Sequence, residues 1–252
     1  MIALRAPAKL TWFLEVTGRR EDGYHWLRSE MLTIDLSDLL VIDENEEYLR
    51  VFNPYKELVP ENETNLAARA LALVDRRAGV TIEKAIPVGG GLGGGSADAG
   101  AVLRWAGGVS AEAALTLGGD VPFCQLGGRA IVEGVGELLT PLEYEKRLFT
   151  LIMTDFGVST GDCYRAYDEL TDSGWKATGA NHLEEAARVV EPRLARSMDW
   201  LRAELGQEVH LAGSGSTMFV EGAVGPAHSQ MTGPEGTLQL LQSVTTPAEG
   251  RS

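Results

Sequence analysis

Six glycines stand within one twelve-residue segment of this chain: Pro87-Val88-Gly89-Gly90-Gly91-Leu92-Gly93-Gly94-Gly95-Ser96-Ala97-Asp98. Branched apolar residues in 80–86 predict a strand before it, and the Ala-rich segment 96–105 predicts a helix after it. Glycines let successive N–H groups point into one concavity, and the first helical turn adds unpaired donors and the positive end of its dipole. This pattern predicts a polyphosphate site. The alternative is a flexible linker, but linkers are usually flanked by more polar residues.

Three better-known phosphate loops fit the segment poorly. No lysine follows the glycines, as the Walker pattern requires. A dinucleotide site expects a strand ending in an acidic residue about twenty positions later, where this chain has the turn-like segment 107–112. Asp155-Phe156-Gly157 matches a protein-kinase triplet, but the H-R-D and V-A-I-K patterns are missing. The sequence therefore favours another class of phosphate loop.

Length, charge and cysteine content describe a globular protein of one large or two moderate domains. The 252 residues include 22 basic and 36 acidic ones, giving a net charge of −14, which disfavours nonspecific binding to nucleic acid or anionic membranes. Cys124 and Cys163 are far apart without zinc spacing, so we expect reduced thiols. Residues 1–7 contain no long apolar run, so we expect a cytoplasmic protein without a signal peptide or membrane span.

The remaining patterns mix strands and helices. Strands are predicted at 2–16, 30–36, 39–42, 148–153 and 238–244, with a turn at Ser37-Asp38. A hairpin-like pair of short strands is predicted at 127–137, and a glycine turn that enters a strand at 210–220. Helices are predicted at 65–74 with Thr64 as cap, at 111–117, at 159–170 and at 181–205 with a break near Pro192. The tail from residue 223 is otherwise weakly patterned. The charged segment 143–147 suggests a division into an N-terminal domain, 1–145, and a C-terminal domain, 146–252.

Three separated motifs, Pro7-Ala8-Lys9-Leu10, the glycine segment and 211–216, together resemble the GHMP kinase superfamily, named for galactokinase, homoserine kinase, mevalonate kinase and phosphomevalonate kinase. Segments 18–25 and 117–123, the second followed by 133–137, are similar to the branch acting on 4-diphosphocytidyl-2-C-methyl-D-erythritol. The resemblance spans about residues 4–220. It implies an α+β fold of two domains, a ribosomal protein S5 domain 2-like N-terminal domain and a ferredoxin-like C-terminal domain, with the active site in the cleft between them.

The same resemblance implies the reaction. ATP would phosphorylate the 2-hydroxyl of this cytidine-diphosphate-linked alcohol, a step of the non-mevalonate isoprenoid pathway. Asp120 would be the general base, and Lys9 would hold and polarise the aspartate and the hydroxyl. Residues 87–97 would wrap the ATP phosphates, Ser96 would contact magnesium or phosphate, and Asn65 would lie along the nucleotide wall. Such chemistry depends on positioning and charge neutralisation more than on covalent help.

The substrate site implied by the resemblance draws on several segments. Tyr24 and His25 correspond to cytidine-site residues, and Tyr164 to an aromatic that stacks on the base. Thr11, Gly213 and Ser214 would complete this site. The expected partner is a small molecule rather than nucleic acid or a membrane, and the expected state is a monomer or weak homodimer.

The chain departs from the family pattern at three places. Thr11 stands where asparagine is usual, Asn181-His182 where an Asn-Asp pair is usual, and the segment between Trp105 and Leu117 is short. Two alternatives therefore stay open. A GHMP kinase for mevalonate or homoserine would have no use for a cytidine pocket, and a nucleotide-binding relative without catalysis would need neither Lys9 nor Asp120.

Overall fold

The computed structural model describes residues 1–55 and 58–248, which form two sheets and seven helices. The first sheet contains β1 (Ile2–Arg19), β2 (His25–Asp43), β3 (Tyr48–Phe52), β4 (Gly79–Glu83), β5 (Arg129–Gly134) and β6 (Leu138–Pro141). The second contains β7 (Leu148–Met153), β8 (His210–Leu211), β9 (Met218–Glu221), β10 (His228–Gly233) and β11 (Gly236–Val244). The helices are α1 (Leu66–Leu73), α2 (Gly94–Trp105), α3 (Ala111–Leu115), α4 (Val121–Leu126), α5 (Thr160–Asp172), α6 (Glu184–Val190) and α7 (Pro192–Leu205). This mixture confirms the predicted α+β class.

The first sheet is organised around the β1–β2 hairpin, whose long strands run antiparallel. The other edge of β2 pairs with β5 along its first half and with β4 along its second half. β3 adds a parallel strand beside β4, and β6 adds an antiparallel strand beside β5. The strand before the glycine segment, β4, therefore lies next to the strand that leaves the hairpin.

The predicted turn at Ser37-Asp38 is absent, because β2 runs unbroken through both residues. The Asp38 side chain is buried and accepts hydrogen bonds from the backbone N–H groups of Ala85 and Ile86 at 2.6 and 2.8 Å. A residue type that is common in turns thus satisfies the backbone where β4 leads into the glycine segment.

Two other local predictions need correction. Asn65, rather than Thr64, is the cap of α1, and its side chain accepts from the backbone of Ala67 at 2.9 Å. No strand is predicted at 228–233, yet β10 forms there by pairing with β11. The sequence of β10 lacks apolar alternation, so its neighbour rather than its own pattern decides its conformation. The predicted break near Pro192 is confirmed, since Pro192 begins α7.

The second sheet is antiparallel and has apolar residues on both faces, as alternation along a strand allows. Phe149 and Phe219 pack into a core with the first sheet and α2. Ile152 and Val220 pack on the other side with α5, α6 and α7. The second sheet therefore lies between the first core and these helices.

The predicted division after residue 145 falls between β6 and β7, the last strand of one sheet and the first of the other. The later chain also returns to the first sheet, where the backbone N–H of Thr246 donates to the carbonyl of Thr33 at 2.9 Å. The boundary stays a prediction. Among the described residues, no helix has the length and apolar character needed to cross a membrane.

The glycine segment packs directly on the turn that precedes β9. Gly91 has a φ of +77°, and a Cβ added there would overlap the carbonyl oxygen of Ala212 and lie 3.0 Å from that of Gly215. The backbone N–H of Thr217 donates to the carbonyl of Gly90 at 3.1 Å. Two backbone turns can approach this closely only because no side chain separates them.

We expect Gly91→Ala to destabilise the protein more than Gly89→Ala. Gly89 also has a positive φ, of +71°, but an added Cβ there meets nothing within 4 Å. Gly89→Ala should therefore cost the left-handed backbone strain alone, roughly 1–2 kcal/mol. Gly91→Ala adds a backbone clash and should cost about 3 kcal/mol or more. Urea unfolding without nucleotide measures both, and equal costs would contradict the packing argument.

Candidate active site

Two cavities meet beside the glycine segment. The first, of about 430 Å³, lies between that segment and the start of α1, and we call it the nucleotide cavity. The second, of about 600 Å³, lies between the end of the β1–β2 hairpin and α5, and we call it the substrate cavity. Ser96, Asp120, Thr160 and Tyr164 line both cavities. A group transferred from one bound ligand to another would pass these residues.

Lys9 lies at the nucleotide cavity with its side chain almost fully buried. Register shifts in the β1–β2 pairing occur on both sides of Lys9 and Thr11, and such irregularities re-aim side chains along a strand. The Lys9 ammonium lies 3.1 Å from Thr11 Oγ1 and 3.4 Å from Asp120 Oδ2. A Cβ on Gly93 would come within 2.8 Å of Lys9 Cγ, so the glycine leaves room for the lysine stem.

Asp120 stands immediately before α4 and makes no side-chain capping hydrogen bond. Its side chain is 34% exposed, so ligands can reach the carboxylate. The preceding residue, Gly119, packs against Gly136, where an added Cβ would overlap the Gly119 carbonyl oxygen. The predicted motifs at 117–123 and 133–137 therefore meet in space and together place Asp120 opposite Lys9.

Most of the predicted ATP-binding segment lines the nucleotide cavity, namely Pro87, Val88, Gly89, Gly90, Gly91, Gly93, Gly94, Gly95 and Ser96. Leu92 and Ala97 are buried in the core instead. Asn65 lines the cavity, but its amide donates to the Pro60 carbonyl at 2.8 Å while its oxygen caps α1. Asn65 therefore forms part of the wall of the nucleotide cavity.

A buried charged cluster under the glycine segment escapes sequence reasoning. Lys84 lines the nucleotide cavity and forms ion pairs with Asp38 and, at 2.7 Å, with Asp98. Asp98 Oδ1 is buried without a hydrogen-bond partner among the described residues. Burial raises the pKa of Asp98 to about 7, since the attraction of Lys84 is partly offset by the neighbouring Asp38 carboxylate. The single ammonium of Lys84 is thus paired with two carboxylates.

The predicted substrate residues fall into three groups. Tyr24 and His25 line the substrate cavity; Tyr24 is 66% exposed at its rim, whereas His25 is buried. Tyr164 stacks on His25 with ring centroids 4.8 Å apart. Gly213 and Ser214 line the nucleotide cavity instead, while Thr11 lines neither and bonds to Lys9. Thr11 therefore supports the lysine.

The Asn181-His182 pair joins β1 to the turn that contains Gly213. The Asn181 amide donates to the carbonyls of Leu211 and Gly213 at 2.9 and 2.7 Å. Nδ1 of His182 accepts from the backbone N–H of Val16 at 3.1 Å. A neutral imidazole thus supplies an acceptor, the capacity that a carboxylate at this position would also offer.

The donor set suits a magnesium ion shared with nucleotide phosphates. Within residues 1–55 and 58–248, no group of three His, Cys, Asp or Glu side chains could hold a metal alone. Magnesium usually keeps several waters and takes one or two protein oxygens beside substrate phosphates. Ser96 and Asp120, which line both cavities, are oxygen donors of this kind.

Comparison with known proteins agrees with this geometry. Residues 65–128, which include the glycine segment and Asp120, match the family model described as "GHMP kinases N terminal domain". The fold and the paired cavities, together with this match, define a GHMP kinase, a small-molecule kinase that uses ATP.

Relatives at higher identity make the assignment more specific. The 4-diphosphocytidyl-2-C-methyl-D-erythritol kinase of Polynucleobacter necessarius subsp. necessarius (strain STIR1) is 33% identical, covering 86% of this chain and 82% of the relative. The enzyme of that name from Paracoccus denitrificans (strain Pd 1222) is 37% identical, with 85% and 84% covered. A crystal structure of 4-(cytidine 5'-diphospho)-2C-methyl-D-erythritol kinase aligns with a TM-score of 0.70 at 32% identity, covering 97% of this chain and 100% of that one. The chain belongs to the 4-diphosphocytidyl-2-C-methyl-D-erythritol kinase family.

We expect Asp98 to make the protein less stable as the pH rises from about 4 to about 7. The pKa of Asp98 is about 7 in the folded protein, whereas its ordinary value is 3.8. Between about pH 4 and pH 7 the folded state therefore keeps a proton on Asp98 that the unfolded state has lost. Because the folded state then binds more protons than the unfolded one, stability falls with rising pH, by a few kcal/mol at order of magnitude.

Asp98→Asn removes this titrating group while keeping its shape. Urea unfolding between pH 4 and pH 8 should therefore show a shallower decline for the variant than for the wild type. Asp172→Asn, at an exposed position on α5, is the matched control and should keep the wild-type slope. Parallel slopes for Asp98→Asn and the wild type would contradict the assignment.

Proposed function

We propose that the protein transfers the γ-phosphoryl group of ATP to the 2-hydroxyl of 4-diphosphocytidyl-2-C-methyl-D-erythritol, a step toward isoprenoid precursors in the non-mevalonate pathway. The observation that carries this proposal is the meeting of two cavities at Asp120, with Lys9 3.4 Å from its carboxylate. Transfer between two ligands held in adjoining cavities needs no intermediate carrier and gains from fixed proximity.

Asp120 would act as the general base. It accepts the proton of the substrate hydroxyl as the oxygen forms a bond to the γ-phosphorus. The bond from that phosphorus to the bridging oxygen breaks, and ADP leaves with the electron pair. Lys9, held by Thr11 at 3.1 Å, keeps its ammonium beside Asp120 and the reacting oxygen. Its positive charge would offset the negative charge that develops there.

The glycine segment would hold the ATP phosphates. Its glycines line the nucleotide cavity at the start of α2, a helix of 12 residues whose first N–H groups have no helical partners. Ser96 lies in the first turn of α2 and would contact phosphate or magnesium, together with Asp120. Magnesium, when bound, would neutralise charge on the β- and γ-phosphates.

The substrate cavity would take the cytidine diphosphate part of the acceptor. Tyr24, His25 and Tyr164 supply aromatic surface on two sides of this cavity, as recognition of a flat base requires. We extend the proposal to a cytoplasmic monomer or weak homodimer whose partners are small molecules rather than nucleic acid or membranes.

A coupled assay of ADP release tests the proposed reaction. The protein is given ATP and magnesium with 4-diphosphocytidyl-2-C-methyl-D-erythritol, mevalonate or homoserine. We expect turnover with the cytidylylated alcohol and none above background with the other two. Turnover with mevalonate or homoserine alone would move the proposal to another GHMP substrate. ATP binding without turnover on any of the three would indicate a relative that has lost catalysis.

We expect Asp120→Asn to lower kcat by about 10²–10⁴-fold, the usual contribution of general base catalysis. The affinity for ATP measured without magnesium should change little, because the glycine segment binds the phosphates. Asp155→Asn is the matched control, since Asp155 is exposed and lines neither cavity. Steady-state kinetics and calorimetric ATP binding measure both effects. Unchanged turnover in Asp120→Asn would exclude the aspartate as the base.

A further inference from the structure

The His25 ring is enclosed by one face of α5. Its Nε2 lies 2.7 Å from Oδ1 of Asp168. The ring stacks on Tyr164, with an interplanar angle of 22°, and meets Tyr167 edge-on with centroids 6.0 Å apart. His25 begins β2, whereas its three partners lie on successive turns of a helix from the later part of the chain. These contacts therefore join the two walls of the substrate cavity.

Asp168 also forms an ion pair with β1, the strand that pairs with the start of β2. Arg19 is the cross-strand partner of His25 at the end of the β1–β2 hairpin. Its Nη2 lies 3.2 Å from Oδ2 of Asp168, so each carboxylate oxygen has one partner on the hairpin. The side chain of Arg19 is 54% exposed and that of His25 only 5%. The buried contact with His25 is thus the less screened of the two.

The contact with Asp168 determines which ring nitrogen of His25 carries the hydrogen. An ionised carboxylate only accepts hydrogen bonds, so Nε2 must be the donor. In the neutral ring, Nδ1 is then an acceptor. Within the described part of the chain, Nδ1 forms no hydrogen bond, and His25 lines the substrate cavity. The acceptor is therefore available to a ligand.

We infer that Asp168 is a positioning residue for base recognition. By holding His25 with its hydrogen on Nε2, it leaves Nδ1 to accept a hydrogen bond from the exocyclic amino group of cytosine. Uracil carries a carbonyl oxygen at that position, and two acceptors facing each other form no hydrogen bond. The pocket then favours cytidine over uridine diphosphates. The inference rests on the proposed cytidine role of this cavity and adds the residue and atom that set the selectivity.

Equilibrium binding of CDP and UDP to the whole protein tests this inference. We expect the wild type to bind CDP about tenfold more tightly than UDP, as expected for one well-placed hydrogen bond. Asp168→Ala should lose most of this preference and keep the wild-type affinity for ADP. Asp168→Asn preserves the shape but presents both a donor and an acceptor to Nε2, so it should also lower the preference. Asp172→Ala, one turn further along α5, is the exposed control and should retain it.

The tautomer of His25 is a second measurement, because it would not change if Asp168 had only a structural role. The ring ¹⁵N chemical shifts distinguish hydrogen on Nε2 from hydrogen on Nδ1. The chain has only 4 histidines, and the signals missing from His25→Gln assign the ring. We expect the Nε2–H form in the wild type and a mixture in Asp168→Ala.

The outcomes separate this inference from the proposed function. The inference would be overturned if variants of Asp168 unfold at a lower temperature but keep the wild-type CDP preference and the wild-type tautomer of His25. It would also be overturned if the wild type shows no preference for CDP over UDP. A wild type that prefers CDP and loses this preference on Asp168→Ala, yet does not phosphorylate the cytidylylated alcohol, would support the inference and contradict the proposed function. A wild type that binds neither CDP nor the alcohol would contradict both.

Discussion

The arrangement of the site depends on the close packing of two glycine-containing turns. Gly91, from the segment before α2, lies against the backbone of the turn that contains Ala212 and Gly215. The segment is also held to β1, where the N–H of Lys9 donates to the Leu92 carbonyl at 3.1 Å. Elements from the first sheet and the second sheet thus meet with backbone on backbone. Any larger residue at the contact would separate the walls of the nucleotide cavity.

This packing explains how a protein with a net charge of −14 can present a site for a polyanion. The phosphates would meet backbone N–H groups and the start of α2 rather than the average surface. The two lysines at the cavity, Lys9 and Lys84, are both buried and both paired with aspartates. The pairing fixes where the positive charge lies, and burial leaves Asp98 with a raised pKa despite the attraction of Lys84.

Two of the departures from the family pattern, Thr11 and His182, make defined hydrogen bonds in this chain. Thr11, where asparagine is usual, uses its hydroxyl to hold the ammonium of Lys9. His182, where aspartate is usual, still provides an acceptor for the backbone of β1. Neither change disturbs the elements that carry Asp120 or the glycine segment. Both residues therefore take part in hydrogen bonds that hold β1 and its lysine in place in this chain.

The local sequence pattern was sufficient to predict those features that depend only on residues close by in the chain. The glycine segment, the helix after it and the break at Pro192 follow from backbone freedom, helix dipoles and the missing N–H of proline. The family resemblance then placed Lys9 and Asp120 in one site. The first inference uses information that lies within a few residues, and the second uses several separated motifs in a fixed order along the chain.

Contacts between residues far apart in the sequence determined the features that local patterns could not predict. Asp38 continues a strand instead of making a turn, because its carboxylate is needed by the backbone of Ala85 and Ile86. The pairs of Lys84 with Asp98 and of His25 with Asp168 join residues whose sequence neighbours give no sign of a partner. A side chain's protonation and orientation follow from the charges and rings packed around it, and these come from distant segments only after the chain has folded.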